Sequence, residues 1–489
     1  MDMAMDMVFK RTAISAFLAQ LLLLPQTGGA AEVEFIPFVG TSLVFTDNVD
    51  QASSDRRNSL ISTIDAGLSA DITGNDGNLL FNYELSQLFY SHDSSENSAY
   101  QELTFNADKG LWDSGFRVDA DASISNLARA IDENANADIF SGDTIESKSA
   151  EVGLSYQSNP LSSINFYGRV FTAVANYEDD IGNYDRYGGE FNFENGQRVR
   201  DLFWDIEGSY DYKNGHKGAP NTELKILREV IGLQTIHHWS PLIRLNYEDY
   251  NGVSEADSTD ALSWGPGLRY YWTKTSYLEL SYNFSETDGI SDFWAGSIHL
   301  NPSPRTEFFV SYDKRFFGDA YEVFFSHQTR RLTNAISYTE EATSFDRDTF
   351  TSGSDIAEFI LSRKLEWTTT LEARRTDYVL TLFYNQQRPL NDNSEEKDED
   401  GYGISMDITH ELSRRLSARI GLSYEDYRFR NQAEPEQKDE YWTVAFDTNY
   451  ELSKNMFGSV GYEFNQRSSS ITDNEYDENR VYLEVRVEF

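Results

Sequence analysis

The stretch Val481-Tyr482-Leu483-Glu484-Val485-Arg486-Val487-Glu488-Phe489 alternates apolar and polar side chains without a break and stops on an aromatic. Successive residues of a β-strand point to opposite faces, so Val481, Leu483, Val485, Val487 and Phe489 share one face and Tyr482, Glu484, Arg486 and Glu488 the other. Such a strand separates hydrocarbon from water. In a soluble sandwich the apolar face would be a core. In an outer-membrane barrel the same pattern must recur on every strand, because lipid surrounds the whole wall.

The pattern does recur, from one end of the chain to the other. Phe35, Val39, Leu43 and Phe45 share a face; Ile164, Phe166 and Val170 oppose Asn165, Tyr167 and Arg169; Leu202, Trp204 and Ile206 oppose Asp205 and Glu207. Further on, Ile243, Leu245 and Tyr247 oppose Arg244, Asn246 and Glu248, and Leu278 and Leu280 oppose Glu279 and Ser281. Ile404, Met406 and Ile408 oppose Asp407; Ile420 and Leu422 oppose Arg419; Val444 and Phe446 oppose Asp447. Connections alternate as well, with short turns such as 412–415 and 452–455 between long polar loops near 47–58, 91–98, 128–145, 391–401, 429–440 and 468–479. Outer-membrane barrels have this asymmetry of short periplasmic turns and longer outer loops. The expected fold is all-β: a transmembrane antiparallel outer-membrane β-barrel of about 24 strands, within a range of about 20 to 26, with both ends on the periplasmic side. Pro266 cannot donate to a ladder and predicts a bulge or a gap in pairing. Residues 344–370 admit a short helix, a strand that starts late, or a loop folded into the lumen.

Composition agrees. The chain has 489 residues, a net charge of -40, no cysteine, 29 Tyr and 32 Phe. No apolar run reaches the roughly 18 residues of a transmembrane helix, while the aromatic content suits two interfacial girdles. A pI near 4.4 excludes the basic footprint that nucleic-acid binding requires. Lys10 and Arg11, the apolar stretch from Ala13 to Leu24 and the small residues up to Ala31 make residues 1–31 a predicted signal peptide. The barrel then occupies 32–489.

The polar parity defines the candidate lumen: Arg169, Asp205, Glu207, Arg244, Glu279, Asp407, Arg419, Asp447, Glu484 and Arg486. These charges either bias an aqueous channel against anions or pair across neighbouring strands to hold the wall. Tyr167, Phe171, Phe203, Phe383 and Tyr441 share that parity, where rings stack on carbohydrate, fill space or pack against an inward loop. The acidic run 391–400 offers oxygen ligands without EF-hand spacing, which is the pattern of a solvated loop tip. Among His92, His216, His237, His238, His299, His327 and His410 there is no HExxH, and the chain has neither GxSxG nor a P-loop. No enzyme, cofactor or metal site is therefore expected; His92 and His216, near outer loops, are where a rim site would be sought. His237-His238-Trp239 falls at a predicted periplasmic turn and suits an interfacial anchor.

Leu483, Val485, Val487 and Phe489 resemble the carboxyl-terminal signal read by the barrel assembly machinery, with departures at Glu484, where a small residue is common, and Val487, where an aromatic is common. The order of Phe38-Val39-Gly40-Thr41-Ser42-Leu43-Val44-Phe45-Thr46-Asp47-Asn48-Val49, the stretch Tyr90 to Asn97, the turn Leu452-Ser453-Lys454-Asn455 and Glu478-Asn479-Arg480-Val481 resembles one family. That family is the outer-membrane β-barrel proteins associated with PEP-CTERM/exosortase systems and exopolysaccharide gene clusters, akin to β-barrel porins. The resemblance implies a Gram-negative outer-membrane location among lipid and lipopolysaccharide, a channel or accessory role in exopolysaccharide secretion beside export proteins, and no catalytic residues. A general small-solute porin and a plugged structural or adhesion barrel are the alternatives.

Overall fold

A computed structural model describes residues 32–489 apart from 112–113, 131, 160, 197, 200, 218, 235–237, 252–259, 288, 345–358, 391–397 and 431–434. The predicted signal peptide, 1–31, lies outside the described residues.

Twenty-four antiparallel strands form one sheet, from β1 (Glu32–Thr46) to β24 (Tyr476–Glu488). Each strand pairs with its neighbours in sequence, and β1 pairs antiparallel with β24, Phe38 opposite Glu488 through Thr46 opposite Arg480, so the sheet closes on itself. Closure leaves no edge strand to expose unpaired backbone, which is what hydrocarbon demands of any spanning structure. This is the transmembrane barrel that the alternating pattern predicts. No helix among the described residues is long and apolar enough to cross a membrane.

The outward face is mainly apolar, with Glu229, on the parity of the exposed Ile231, an exception. Val481, Leu483, Leu43, Phe45, Val39, Ile243, Leu280, Ile404 and Ile420 are all exposed, an arrangement that costs free energy in water and none in lipid. Exposed rings cap this belt at both ends: Trp264, Trp294, Tyr402 and Trp442 toward the long loops, and Trp239, Trp272, Tyr378 and Tyr450 toward the short turns. Trp239, the expected interfacial anchor, is exposed and leans on Tyr270 at 4.7 Å between ring centroids; His238 beside it has a positive φ of 74°, and His237 lies outside the described residues.

The wall is not a regular cylinder. Between β12 (Asp260–Tyr271) and β13 (Tyr277–Ser285) pairing stops after Trp264 opposite Phe284 and resumes at Gly267 opposite Ser281. Pro266 sits in that gap, having no N–H to donate. Only glycine fits at 265, since a Cβ there would lie 1.9 Å from the carbonyl oxygen of Tyr282. Around this weak point the wall bends: Arg244 of β11 (Trp239–Asn251) reaches Asp313 of β15 (Thr306–Arg315) at 2.5 Å, and Arg315 reaches Glu248 at 2.7 Å and the Tyr250 hydroxyl at 2.6 Å. Four strand spacings come to about 19 Å along the wall, beyond the reach of one such pair unless the wall folds inward. The two-residue hairpin 316–317 follows it, packing Phe316 on Tyr250 at 4.3 Å, while Tyr250 meets Phe359 of β18 (Phe359–Glu372) at 5.4 Å. Tyr250 and Phe359 are fully buried there. Of the alternatives for 344–370, the described part is a late-starting strand; 345–358 lies outside the described residues.

Candidate functional site: an inward loop at the outer mouth

The loop 129–143 joins β5 (Phe116–Ala128) to β6 (Thr144–Gln157). Local polar bonds shape it: the Asn136 N–H donates to Asn134 Oδ1 at 3.0 Å, the Phe140 N–H to Asp138 Oδ1 at 2.9 Å, and the Gly142 N–H to the Asp138 carbonyl at 2.8 Å. Side chains that accept from nearby N–H groups stabilise compact loops. Instead of rising into solvent, it crosses to the inner wall formed by β22 (Gln437–Ser453), β23 (Met456–Ser469), β24 and β1.

Two buried arginines hold it there. Arg467 donates from Nη2 to Asp439 Oδ2 at 2.8 Å and to the Asp132 carbonyl at 3.1 Å, and from Nη1 to the Glu133 carbonyl. Its side chain is 2% exposed and that of Asp439 0%. Arg480 binds Asp138 and Glu478, the latter at 3.0 Å, and Ser141 Oγ at 3.2 Å. Glu478 is also fully buried and accepts from Thr46 Oγ1 at 2.5 Å and from Ser141 Oγ at 2.8 Å. Each charge is paired and further hydrogen-bonded, the condition under which a buried ion pair is tolerated. Around these clamps the Ala135 N–H donates to the Tyr441 hydroxyl at 3.1 Å, Gln437 Nε2 to the Asp132 carbonyl at 2.5 Å, and the Tyr90 hydroxyl to the Phe140 carbonyl at 3.2 Å. Gln51 accepts from Asn134 Nδ2 at 2.5 Å and donates to Glu478 at 3.3 Å. Between this loop and the outer loops 47–58 and 91–97 lies an open cavity of about 570 Å³, lined by Asp50, Glu96, Tyr100, Glu133 and Tyr476 among others.

Glu399 lies just above the girdle residue Tyr402, outside the membrane-spanning part of β20 (Asp398–Glu411), and is 4% exposed. Burial first, then the nearby carboxylates of Asp132 and Asp400, push its carboxyl up to about 7. An ionisable group thus touches the field of the inward loop near neutral pH.

The charged positions singled out from the sequence are engaged along the wall. Arg169 binds Asp119, and Glu151 at 2.7 Å; Asp205 accepts from Asn192 at 3.3 Å; Glu207 meets Arg228 at 3.1 Å; Arg244 meets Asp313; Glu279 meets Arg269 at 2.6 Å. Arg419 bridges Asp407 at 2.5 Å and Asp447 at 4.0 Å, Glu484 accepts from Ser459 at 3.2 Å, and Arg486 lies 3.5 Å from the Phe38 ring centroid and 3.4 Å from Glu488. They are spread around the wall and are not gathered into one site. Of the aromatics, Tyr441 packs on the inward loop, while Phe203 and Phe171 lie beneath Arg269 and Arg186 at 4.5 and 4.9 Å. Arg467, Asp439, Arg480 and Glu478, which form the clamp, are not among the candidate lumen positions, although Glu478 and Arg480 stand in a stretch that carries the family resemblance; the alternating spacings Asp439-x-Tyr441 and Glu478-x-Arg480-x-Tyr482 are the local signal there, and Arg467 leaves none.

Residues 345–489 match the family described as "Putative beta-barrel porin 2". No curated protein matches. Among solved structures, the chain is similar to the FrpB iron transporter of Neisseria meningitidis (F3-3 variant) at 10% identity and a TM-score of 0.48, over 93% of this chain and 81% of that one. It is similar to the siderophore receptor PirA of Acinetobacter baumannii at 9% identity and a TM-score of 0.44, over 93% and 80%, and to PirA of Pseudomonas aeruginosa at 10% and 0.41, over 92% and 80%. The carboxyl-terminal part of the chain, which includes β18 to β24, thus carries the match to a porin family.

Proposed function

We propose that this protein is an outer-membrane channel of a Gram-negative bacterium whose aqueous path is narrowed by the loop 129–143, and that its cargo is an exopolysaccharide or fragments of one. The observation that carries the channel reading is the doubly clamped loop: two buried arginines fix a segment across the inner wall at the outer mouth, where it limits what passes. A polar, ion-paired inner face keeps such a path wet. The carbohydrate cargo is supported by the sequence resemblance and by inner-parity rings such as Tyr167, which donates to Glu190 at 3.5 Å. Lipid and lipopolysaccharide surround the belt, the barrel assembly machinery reads the last strand, and export proteins deliver the polymer from the periplasm.

Proteoliposomes loaded with oligosaccharides of graded length test the path: the native protein releases short ones and retains long ones, and a variant lacking 132–138 releases both. Equal release by the two proteins contradicts it. For the cargo, a strain lacking the gene accumulates polymer in the periplasm and loses it outside; unchanged polymer in both places leaves a small-solute porin. The second inward closure, Tyr250 against Phe316 and Phe359, favours a plugged structural barrel, for which neither liposome preparation releases sugar.

A further inference from the structure

Three side chains from two outer loops converge beside the inward loop. Asp50 comes from 47–58 and His92 and Glu96 from 91–97, and one ligand-capable atom of each lies within 4.8 Å of the others. Around tetrahedral zinc, with bonds of about 2.0–2.1 Å, ligand atoms stand about 3.4 Å apart. Asp50 and Glu96 are exposed and line the 570 Å³ cavity, so rotation of their side chains closes the difference.

His92 is the decisive residue. Its side chain is only 8% exposed, and its ring stands edge-on to Tyr90, 5.7 Å between centroids at 88°. Nδ1 lies 2.8 Å from Ser59 Oγ. Nε2 is buried without a hydrogen-bond partner, although Glu96 Oε2 is 2.9 Å away; the carboxylate is near, but off the line along which an N–H would donate. With Nδ1–H given to Ser59, Nε2 keeps an unused lone pair in the neighbourhood of the carboxylates. A second-shell hydrogen bond of this kind fixes the tautomer of metal-binding histidines. Ser59 itself is 2% exposed, so the Ser-His-Glu arrangement offers no accessible nucleophile.

One cation already occupies the neighbourhood. Arg57 Nη2 lies 2.5 Å from Asp50 Oδ1 and 3.5 Å from Glu96 Oε1, and its side chain is 50% exposed, free to swing into water. One imidazole and two carboxylates, with water completing the shell, suit a first-row transition ion better than calcium or magnesium, which prefer oxygen alone. We propose that Asp50, His92 and Glu96 bind a divalent transition metal of the zinc class, displacing Arg57 and joining the loops 47–58 and 91–97 at the outer mouth. Gln51, next to Asp50, holds both Asn134 and Glu478, so the metal braces the seat of the inward loop.

Calorimetric titration of the full-length barrel in detergent with zinc chloride, and separately with calcium chloride, tests the proposal. Heat-shifted gel migration confirms that each variant is folded. The native protein binds zinc at one site that calcium does not fill; His92→Ala weakens it at least tenfold, and Arg57→Ala tightens it by removing the competing cation. Absence of zinc binding, binding unchanged in His92→Ala, or an Arg57→Ala variant no tighter than the native protein overturns it.

Discussion

Arg467 shows how one side chain governs the mouth. It satisfies a buried carboxylate and two carbonyls of the inward loop at once, which suits a guanidinium fork and not a lysine. Arg467→Ala leaves Asp439 buried beside an unfilled space, an effect of about 3–5 kcal/mol for breaking such a pair. We expect the loop to leave the wall, seen as trypsin cleavage at Arg129 in the variant under conditions where the native barrel is intact. Glu399 adds a pH dependence. Its carboxyl is raised to about 7, first by burial and then by Asp132 of the loop and Asp400; freeing the loop removes the Asp132 contribution and lowers it, so the seated loop holds a proton more tightly than the freed state, and seating weakens as pH rises through about 7. Current through the native channel should therefore increase from pH 5 to pH 8, and Glu399→Gln should abolish that slope. Neither residue was legible in the sequence. The Arg467 contact with Glu133 spans 334 positions, and no local pattern encodes so distant a partner.

Elements were far more legible. Period-two alternation fixes which face of each strand meets lipid, and Pro266, with its missing donor, correctly marked the interruption between β12 and β13. Loop length was readable too, since 129–143 lies within the long polar stretch 128–145. Its direction was not, because a polar loop suits solvent and a polar lumen equally. The hairpin 316–317 left no sequence signal: nothing in Phe316-Phe317 marks a turn, and Phe316 packs on Tyr250 only through the fold. The last strand carries its own expectation. Phe489 is 69% exposed and adds little to barrel packing, so its deletion should reduce the amount of assembled protein in the outer membrane while barrels that do assemble keep native heat stability. Equal amounts of native and truncated protein in that fraction would remove the assembly role.

For the whole molecule, the closed wall and the inward loop make separate claims. Closure by β1 and β24 predicts a compact, faster-migrating band in unboiled detergent samples that shifts on boiling; one band position before and after would contradict a closed barrel. The inward loop makes the central claim, that this wide barrel conducts through a path far narrower than its wall. Single-channel recording in planar bilayers tests it most directly, comparing the native protein with a variant lacking 132–138. A small native conductance that rises several-fold in the loop-trimmed barrel is the predicted result, and identical conductances in the two proteins would contradict it.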